Sequence, residues 1–464
     1  MIAKIKKSLY FPVALYFSFF AGIRLRRWNP KIIVVTGSNG KTTLLHLLES
    51  QIGSLAKYSH HANSSFGIPF DILNLHRESL FKSEWISLFL KAPFAAFKNP
   101  PREKIYVVEA DCDRPGEGKF LATLLNPEIV LWISTAKTHS INFESLVSKR
   151  HPEFISGSKE IPKPSNSAGR QVRNDKFTTV EEAIAYEFGY FIEYCSELAI
   201  INGDSDLIRR QVSRTKTKVE EVKIQNLKSY NFDSSGTHFE IENTKYNFKF
   251  LLPEEVASSI MLCKKTVEYL NLAFDSSFSS FEMPPGRGSI FQGIKNITIV
   301  DSSYNSNLSS ASTILNSFGK MKASKKWLVI GDMLEQGSSE KEEHEKLAEF
   351  IKKYSFEKII LMGPRVSNFT YPKLMSLRAT RSNPERDRHA FQARDDNNSV
   401  VKFLGPKETL EYINENIKGG ETMLFKGARF MEGIIEHLLE NKKDIKKLAR
   451  REKIWEIRRK KWGL

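Results

Sequence analysis

The feature that most constrains this chain is a short apolar run that ends in a glycine-rich turn. Ile32 to Val35 are four β-forming residues, and T-G-S-N-G-K-T-T follows from Thr36 to Thr43. The next residues, Leu44 to Glu49, have the apolar spacing of a helix. A strand, a glycine turn with a lysine and hydroxyls, and then a helix form a cradle of backbone N–H groups for phosphate. The segment therefore predicts an α/β domain that binds a nucleotide.

The turn itself supplies most of the predicted nucleotide-binding residues. Lys41 is suited to neutralise the β- and γ-phosphate oxygens of ATP, and the Thr42 hydroxyl is suited to bind Mg²⁺. The spacing departs from the common G-x-x-x-x-G-K-[ST], because Val35 stands where that pattern has its first glycine. A chance turn is the alternative interpretation. The predicted nucleotide-binding residues of the turn are Gly37, Ser38, Asn39, Gly40, Lys41, Thr42 and Thr43.

Strand and helix patterns alternate along most of the chain and predict an α/β fold with two domains. We expect a P-loop central ATPase domain with a parallel-rich sheet at 31–283 and a C-terminal Rossmann-like α/β domain at 284–440. Two stretches lack periodicity: 147–176 predicts a disordered insertion, and the polar stretch 376–398 predicts a second insertion. The chain has only three cysteines, and they lie far apart. This pattern predicts neither a disulfide framework nor a zinc ribbon, and it favours a reducing, cytoplasmic compartment.

The net charge of +16 is concentrated at the two ends of the chain. Residues 1–30 contain six Lys/Arg and no acid, and residues 442–464 contain eleven Lys/Arg and three acids. The part between them is therefore almost neutral, which argues against a nucleic-acid-binding body. We expect no nucleic-acid partner.

Both ends have features of a membrane-binding segment. Residues 1–30 contain sixteen uncharged residues from Ser8 to Ile23, which predict a membrane-proximal segment. A signal peptide, or a first helix buried against the body, are the alternatives. In the tail, 441–464, a helix would align Leu448, Trp455 and Trp462 on one apolar stripe between cations. This basic amphipathic pattern predicts binding to an anionic membrane at the inner face of the plasma membrane, and a solvated helix is the alternative.

Several motifs resemble the Mur ligase family, the ATP-dependent amide ligases of peptidoglycan precursor synthesis. Beside T-G-S-N-G-K-T-T they are N-S-S-F-G-I-P from Asn63, Y-V-V-E-A-D from Tyr106, T-H from Thr138 and I-N-G-D from Ile201. The resemblance implies that Lys41, Glu109 and His139 are catalytic. It also implies that Thr42, Glu109 and His139 bind Mg²⁺. Substrate contacts are implied at Asn63, Ser64 and Ser65.

Motifs of the second domain resemble the family member that adds D-alanyl-D-alanine to a UDP-MurNAc-tripeptide. They are G-R from Gly286, D-S-S-Y-N-S-N from Asp301, G-D-M-L-E-Q-G from Gly331 and K-G-A-R from Lys426. The implied nucleotide contacts are Arg287, Asp301, Tyr304 and Asn305, and the implied substrate contacts are Asp332, Glu335, Lys426 and Arg429.

The resemblance implies an enzyme that uses ATP and Mg²⁺ to activate a carboxylate as an acyl phosphate, which an amine then attacks. The implied partners are a muramyl-peptide precursor and D-alanyl-D-alanine or a similar amine.

Two departures from the family pattern leave alternatives open. Relatives usually carry a UDP-binding domain before the P-loop, whereas thirty residues precede Lys31 here, so a lipid-linked or otherwise different acceptor is an alternative. Phe188 stands where the family has a carbamylated lysine, which leaves a non-catalytic nucleotide-binding homologue open. A third alternative is the related synthase that pairs with a glutamine amidotransferase, although its four-cysteine zinc ribbon is absent from this sequence.

Overall fold

A computed structural model of the chain describes residues 10–60, 62–76, 84–137, 140–147, 177–233, 236–379, 399–427 and 429–464. The predicted insertion at 147–176 lies outside the described residues except for Val147, and the one at 376–398 lies outside them except for 376–379. The disorder predicted for 147–176 and the insertion predicted at 376–398 therefore stay predictions.

The first domain alternates strands with helices, as the sequence predicts. Its helices are α1 (Tyr10–Trp28), α2 (Lys41–Ile52), α3 (Gly67–Leu73), α4 (Glu84–Phe97), α5 (Glu117–Leu125), α6 (Val180–Glu193), α7 (Asp206–Arg209) and α8 (Val256–Tyr269). Its strands are β1 (Lys31–Thr36), β2 (Ala56–Tyr58), β3 (Ile105–Ala110), β4 (Ile129–Trp132), β5 (Leu198–Asn202), β6 (Lys218–Val222), β7 (Leu227–Asp233), β8 (Gly236–Ile241) and β9 (Thr244–Phe248).

The main sheet of this domain is parallel throughout and has the order β2-β3-β1-β4-β5-β6. Successive residues of β1 pack into different cores, with Ile32 and Val34 on one face and Ile33 and Val35 on the other. Burial on both faces explains why β1 is a continuous apolar run. The sheet places the glycine turn after β1 at its carboxyl edge, where ligands bind in α/β proteins.

The strands between residues 215 and 252 divide between two sheets. β6 joins the parallel sheet beside β5, whereas β7, β8 and β9 form a separate antiparallel sheet. Tyr230 on β7 donates a hydrogen bond to Ser317 of the second domain at 2.9 Å. The small sheet therefore contributes to the contact between the domains.

The second domain has helices and strands in alternation. Its strands are β10 (Ser289–Gly293), β11 (Ile297–Ser302), β12 (Lys326–Gly331), β13 (Lys358–Met362), β14 (Val400–Phe403) and β15 (Thr422–Lys426). Its helices are α9 (Leu308–Lys320), α10 (Glu340–Ile351), α11 (Tyr371–Ala379), α12 (Pro406–Asn416), α13 (Met431–Leu438) and α14 (Lys453–Lys461).

The second sheet has the order β10-β11-β15-β12-β13-β14, with β10 antiparallel and the other pairings parallel. Leu328 and Ile330 of β12 pack on one face, and Trp327 and Val329 pack on the other. The two covered faces confirm the Rossmann-like α/β architecture predicted for this domain.

The N-terminal apolar segment packs against the first domain. This agrees with the alternative interpretation of the sequence, in which the segment is a first helix buried against the body. Ala14, Phe17 and Ala21 of α1 are fully buried, and Phe17 stacks edge-on against Phe70 of α3. Arg24 is also buried and donates hydrogen bonds to three backbone carbonyls, those of Leu73, Ala95 and Asn99. The inner face of α1 is therefore covered by protein, whereas the predicted proximity of residues 1–30 to a membrane stays a prediction. None of the helices within the described residues combines the length and the apolar composition that a bilayer span requires.

The C-terminal tail is not the single amphipathic helix that the sequence predicts. A 3₁₀ segment, Lys442–Lys447, is separated from α14 by an irregular stretch, and Leu448 is buried in the second domain. The cations of the tail pair with acids on α13, because Arg459 and Arg450 lie 3.8 and 3.5 Å from the buried Glu432. The tail therefore stabilises the second domain, and the prediction of one helix across 441–464 is wrong, whereas its binding to a membrane stays a prediction.

Candidate functional site

The turn between β1 and α2 has the geometry of an anion cradle. Gly37 has φ 129°, and a Cβ atom at this position would lie 2.7 Å from the carbonyl oxygen of Ser134. Only glycine fits there, because a side chain would be strained and would clash with backbone. The loop is held by Ser134, whose hydroxyl accepts from the Asn39 N–H at 2.9 Å and donates to the Asn39 carbonyl at 2.8 Å. The turn is therefore fixed before any ligand arrives.

Lys41 is buried at the start of α2 beside two carboxylates. Its Nζ lies 2.8 Å from Oδ2 of Asp111 and donates to the Gly37 carbonyl at 2.5 Å. Burial by itself lowers the pKa of Lys41, but the charges of Asp111 and Glu109 outweigh it and raise the pKa above its ordinary value. Lys41 is therefore a fixed cation at the point where β- and γ-phosphate oxygens would lie.

Two of the three predicted Mg²⁺ ligands, Thr42 and Glu109, belong to the described residues, and their side chains are in contact. The Thr42 hydroxyl donates to Oε2 of Glu109 at 2.8 Å, and the backbone N–H of Glu109 donates to the Ser59 hydroxyl at 2.8 Å. The register of the sheet explains this contact, because Val35 on β1 is directly opposite Glu109 on β3. Thr42 and Glu109 are oxygen donors of the kind Mg²⁺ prefers. His139, the third predicted ligand and catalytic residue, lies outside the described residues.

Asp111 is a site residue that sequence reasoning did not select. It is the last residue of the Y-V-V-E-A-D motif, in which the resemblance implies a role only for Glu109. The available signal is the period of a strand, because residues two apart point to the same side. Glu109 and Asp111 satisfy this spacing, and both face Lys41.

The loop after β2 is tied to this acidic strand end. The Asn63 carbonyl accepts from the Asp111 N–H at 2.8 Å, and Ser64 accepts from the Gly67 N–H at 3.2 Å. Ser65 is buried, and its hydroxyl donates to Oε1 of Glu117 at 2.6 Å. In this structure Ser65 therefore orders the loop, while the predicted substrate roles of Asn63, Ser64 and Ser65 stay predictions.

The second domain contacts the glycine turn directly. The Asn39 side chain donates to the Ser309 hydroxyl at 3.2 Å, and it accepts from the Asn307 side chain at the same distance. Asn307 is the N-cap of α9, and its side chain also accepts from the Ser310 N–H at 2.8 Å. The N-terminus of α9 therefore meets the turn, and a helix N-terminus favours negative charge. These contacts were not predicted from the sequence, because no local pattern reports them.

A second contact between the domains involves the G-D-M-L-E-Q-G motif. Glu144 accepts hydrogen bonds from the backbone N–H of Ser338 at 2.8 Å and from its hydroxyl at 2.9 Å. Within the motif, Asp332 accepts from the backbone N–H groups of Arg365 and Val366, each at 2.9 Å. Asp332 therefore orders the segment after β13. Glu335 is exposed beside it, and a substrate role for either residue stays a prediction.

Lys426 is a buried base of the second domain. It is buried at the end of β15, and its Nζ donates to the Asn305 carbonyl at 2.7 Å. Burial, together with the charge of Arg287, lowers the pKa of Lys426 to about 7, although Asp301 opposes the shift. A buried lysine with so low a pKa is unusual in proteins, and groups with strongly shifted pKa values are concentrated at functional sites.

The other predicted nucleotide contacts surround Lys426. The buried Asp301 has a raised pKa because of desolvation, and its Oδ2 atom has no hydrogen-bond partner within the described residues. Arg287 lies over the ring of Tyr304, with its guanidinium carbon 4.6 Å from the ring centroid. The structure therefore brings Arg287, Asp301, Tyr304 and Asn305 together. Arg429 lies exposed after β15.

Phe188 occupies a hydrophobic core. It is fully buried and its ring centroid lies 6.2 Å from that of Trp132. The preceding residue, Glu187, caps the start of α5, because its two oxygens accept from the Gly116 and Gly118 N–H groups at 2.9 and 3.1 Å. Position 188 therefore contributes packing and no metal ligand.

The chain is similar in sequence to known ligases. Residues 286–429 match the family model described as "Mur ligase, glutamate ligase domain". The chain is 22% identical over 434 residues to the UDP-N-acetylmuramoyl-tripeptide–D-alanyl-D-alanine ligase of Bacillus subtilis, covering 90% of this chain and 78% of that protein. It is 23% identical to the enzyme of the same name from Buchnera aphidicola, covering 91% and 80%. The resemblance to Mur ligases predicted from the motifs is therefore confirmed.

A solved structure extends the comparison to the fold. The MurF ligase from Thermotoga maritima, in complex with ADP, superposes with a TM-score of 0.64 and 19% identity, covering 94% of this chain and 84% of that chain. The predicted arrangement of a P-loop domain followed by a Rossmann-like domain is therefore the fold of a solved ligase.

Proposed function

We propose that this chain is a Mur ligase: an ATP-dependent, ADP-forming enzyme that joins D-alanyl-D-alanine to a muramyl tripeptide in peptidoglycan precursor synthesis. The observation that carries the proposal is the meeting of two elements. The glycine turn, with Lys41 and the carboxylates of Glu109 and Asp111, lies against the N-terminus of α9 in the domain that matches the Mur ligase model. Because the reaction consumes ATP, we propose that it takes place on the cytoplasmic side of the membrane.

The proposed reaction needs a carboxylate to be activated, because an amine does not displace hydroxide from it under mild conditions. Transfer of the γ-phosphoryl group of ATP to the carboxylate gives an acyl phosphate and ADP. The amine then attacks the acyl carbon and inorganic phosphate leaves. Such transfer depends on positioning and on neutralisation of charge more than on covalent participation of the protein.

The residues of the turn are suited to this work. Backbone N–H groups of the turn and of the first turn of α2 present positive ends of dipoles to phosphate oxygens. Lys41 adds a full positive charge, held in place by Asp111 at 2.8 Å until a phosphate competes for it. The α9 N-terminus, fixed by the Asn39–Asn307 contact, faces the same region from the second domain.

The oxygen donors present at the turn fit Mg²⁺. Thr42 and Glu109 would hold the ion, since their side-chain oxygens lie 2.8 Å apart at the edge of the phosphate cradle. When bound, Mg²⁺ would supply additional neutralisation of phosphate charge. His139 stays a predicted ligand.

Lys426 and Arg287 are suited to bind the anionic parts of the substrates. Both are cations beside Asp301 and Tyr304, and Lys426 is buried. A carboxylate or phosphate placed there would favour the charged form of Lys426 and would gain charge-assisted hydrogen bonds.

Release of inorganic phosphate tests the proposal. Purified protein with ATP, Mg²⁺, UDP-MurNAc-tripeptide and D-alanyl-D-alanine should release phosphate only when both substrates are present. Release with a lipid-linked acceptor alone would support the related ligase with a different acceptor. Nucleotide binding without release under any of these conditions would support the non-catalytic homologue, which the replacement of a family lysine by Phe188 favours.

A further inference from the structure

Two helices of the first domain expose an unusual number of apolar side chains. Six of the 14 large hydrophobic side chains that are strongly exposed within the described residues lie on α1 and α4, with exposed fractions between 56% and 76%. We call this set the α1/α4 face, and its members are Leu15, Phe19, Ile86, Leu90, Phe94 and Phe97. Single exposed hydrophobics need no explanation, but a contiguous set marks an interaction site.

The spacing on α4 shows that the exposure is a property of one helix face. Ile86, Leu90, Phe94 and Phe97 recur at intervals of three or four residues, so they line one side of the helix. The other side of α4 is buried in the core through a second set: Leu88, Ala92, Ala95 and Ala96. The helix is therefore hydrophobic on both sides, although only one side is covered.

α1 and α4 are held side by side, so the face is a fixed surface. The Tyr16 hydroxyl donates to the Phe89 carbonyl at 2.8 Å, and the Tyr16 and Phe89 ring centroids lie 4.9 Å apart. At the other end, Arg27 donates to the Ala96 carbonyl at 2.8 Å, and its guanidinium lies over the ring of Phe97 at 5.9 Å. The two contacts follow each other in the same order along both helices, so α1 and α4 run parallel and present their outer sides together.

Within α1 and α4 the charged residues are almost all positive. Arg26 and Arg27 are exposed at the end of α1, which contains no acid, and Lys91 and Lys98 are exposed on and just after α4. Within α4 the only acidic residue is Glu84, at its first position. Apolar side chains bordered by Lys and Arg are typical of segments that bind anionic lipid surfaces.

The same charges argue against a second copy of this chain as the partner. A symmetric contact through the α1/α4 face would bring Arg26, Lys91 and Lys98 of both copies to one interface, and like charges oppose association. A lipid surface with negative headgroups matches both the apolar and the basic side chains. Because α1 packs against the core through its inner side, only its outer side is available to lipid.

We propose that the α1/α4 face docks the protein on the surface of an anionic phospholipid bilayer, with the apolar side chains inserted among the lipids and the cations at the headgroups. This places the membrane contact on the outer sides of two helices of the folded first domain, one of which, α1, lies within the predicted membrane-proximal segment 1–30. The proposal is independent of the ligase activity, since a protein without activity would still bind vesicles.

Vesicle sedimentation with the full chain tests the proposal. The probes are vesicles of phosphatidylcholine alone and vesicles in which about 30% of the lipid is phosphatidylglycerol. The test variant is the double substitution Leu90→Gln with Phe94→Gln, and a second test variant is Lys91→Glu with Lys98→Glu. The matched control is Leu404→Gln with Ile457→Gln, which changes two equally exposed apolar residues outside the face. All the changed residues are exposed, and circular dichroism checks that each variant is folded.

The expected result is binding of the wild type to the anionic vesicles, with much weaker binding to phosphatidylcholine. Each test variant should lose at least about tenfold in affinity for anionic vesicles, while the control variant binds like the wild type. Absence of wild-type binding, or undiminished binding of the Leu90/Phe94 variant, would overturn the proposal. It would also be overturned if light scattering showed a wild-type dimer that this variant abolishes, with no vesicle binding by either.

Discussion

Nζ of Lys41 lies 2.8 Å from Oδ2 of Asp111, and both groups are largely buried at the carboxyl edge of the first sheet. Separation of the two groups would leave each charge buried without a partner, which is costly. The ion pair therefore holds both side chains in place in the absence of ligand. The phosphates of ATP offer Lys41 a competing set of anionic oxygens.

Lys41→Met should reduce ATP-dependent phosphate release by about a hundredfold or more, because a preorganised charge at the transferred phosphoryl group is lost. The measurement is steady-state phosphate release with all substrates present. Lys57→Met is the matched control, since Lys57 forms a partly buried ion pair with Asp71 in the same domain. Equal losses in the two variants would show that Lys41 acts only through the stability of the domain.

Lys426 predicts a pH dependence of stability. Its pKa is about 7 in the folded protein, against 10.5 for an ordinary lysine. Between these values the unfolded chain holds a proton that the folded chain does not, so the free energy of unfolding rises with pH in this window. Below pH 7 both states hold the proton and the contribution is constant.

Urea unfolding of the wild type and Lys426→Met between pH 7.5 and 9 measures this effect. The slope of the unfolding free energy against pH should be more positive in the wild type, by up to about 1.4 kcal/mol per pH unit. Lys341→Met, at an exposed position on α10, is the control and should keep the wild-type slope. Identical slopes in wild type and Lys426→Met would contradict the assigned pKa.

Asn307 has two roles, as the N-cap of α9 and as the partner of Asn39, and two substitutions should separate them. Asn307→Ala loses both the cap and the contact and should lower the free energy of unfolding by about 1 kcal/mol. Asn307→Ser retains a capping hydroxyl but is too short to reach Asn39. We expect it to restore the stability while phosphate release stays reduced. Restored release in Asn307→Ser would show that only the cap matters.

Phe188→Lys, which introduces the family residue, should not create a metal site. The position is fully buried against Trp132, so an ammonium group there lacks partners and should cost at least about 3 kcal/mol in unfolding free energy. Phe94→Lys is the control, because Phe94 is the most exposed residue of the α1/α4 face. A stable Phe188→Lys protein with higher activity would contradict this account of the core.

The sequence predicted well those parts of the site that are determined locally. Gly37 and Lys41 lie within one strand–turn–helix unit, whose backbone conformation depends on the glycine itself. Asp111 could have been found by the same logic, since it follows Glu109 at the period of a strand. The Asn39–Asn307 contact joins residues 268 positions apart, and no local pattern encodes such a distance.

At the two ends of the chain, the sequence leaves open whether apolar and basic side chains meet lipid or protein. An apolar side chain such as Phe17 is removed from water equally well by lipid or by protein, so composition alone does not choose between them. The cations of the tail likewise found partners in the fold, as Arg459 did in Glu432. The packing of α1 and α4 in the folded protein decides which side of each helix is buried and which side is exposed.

The most direct test of the central claim is detection of the ligated product. Mass spectrometry of a reaction with ATP, Mg²⁺, UDP-MurNAc-tripeptide and D-alanyl-D-alanine should show the tripeptide extended by the dipeptide, with one ADP formed for each product molecule. The product should be absent when Lys41→Met replaces the wild type. ADP formation without ligated product, or product formed equally well by Lys41→Met, would contradict the proposed function.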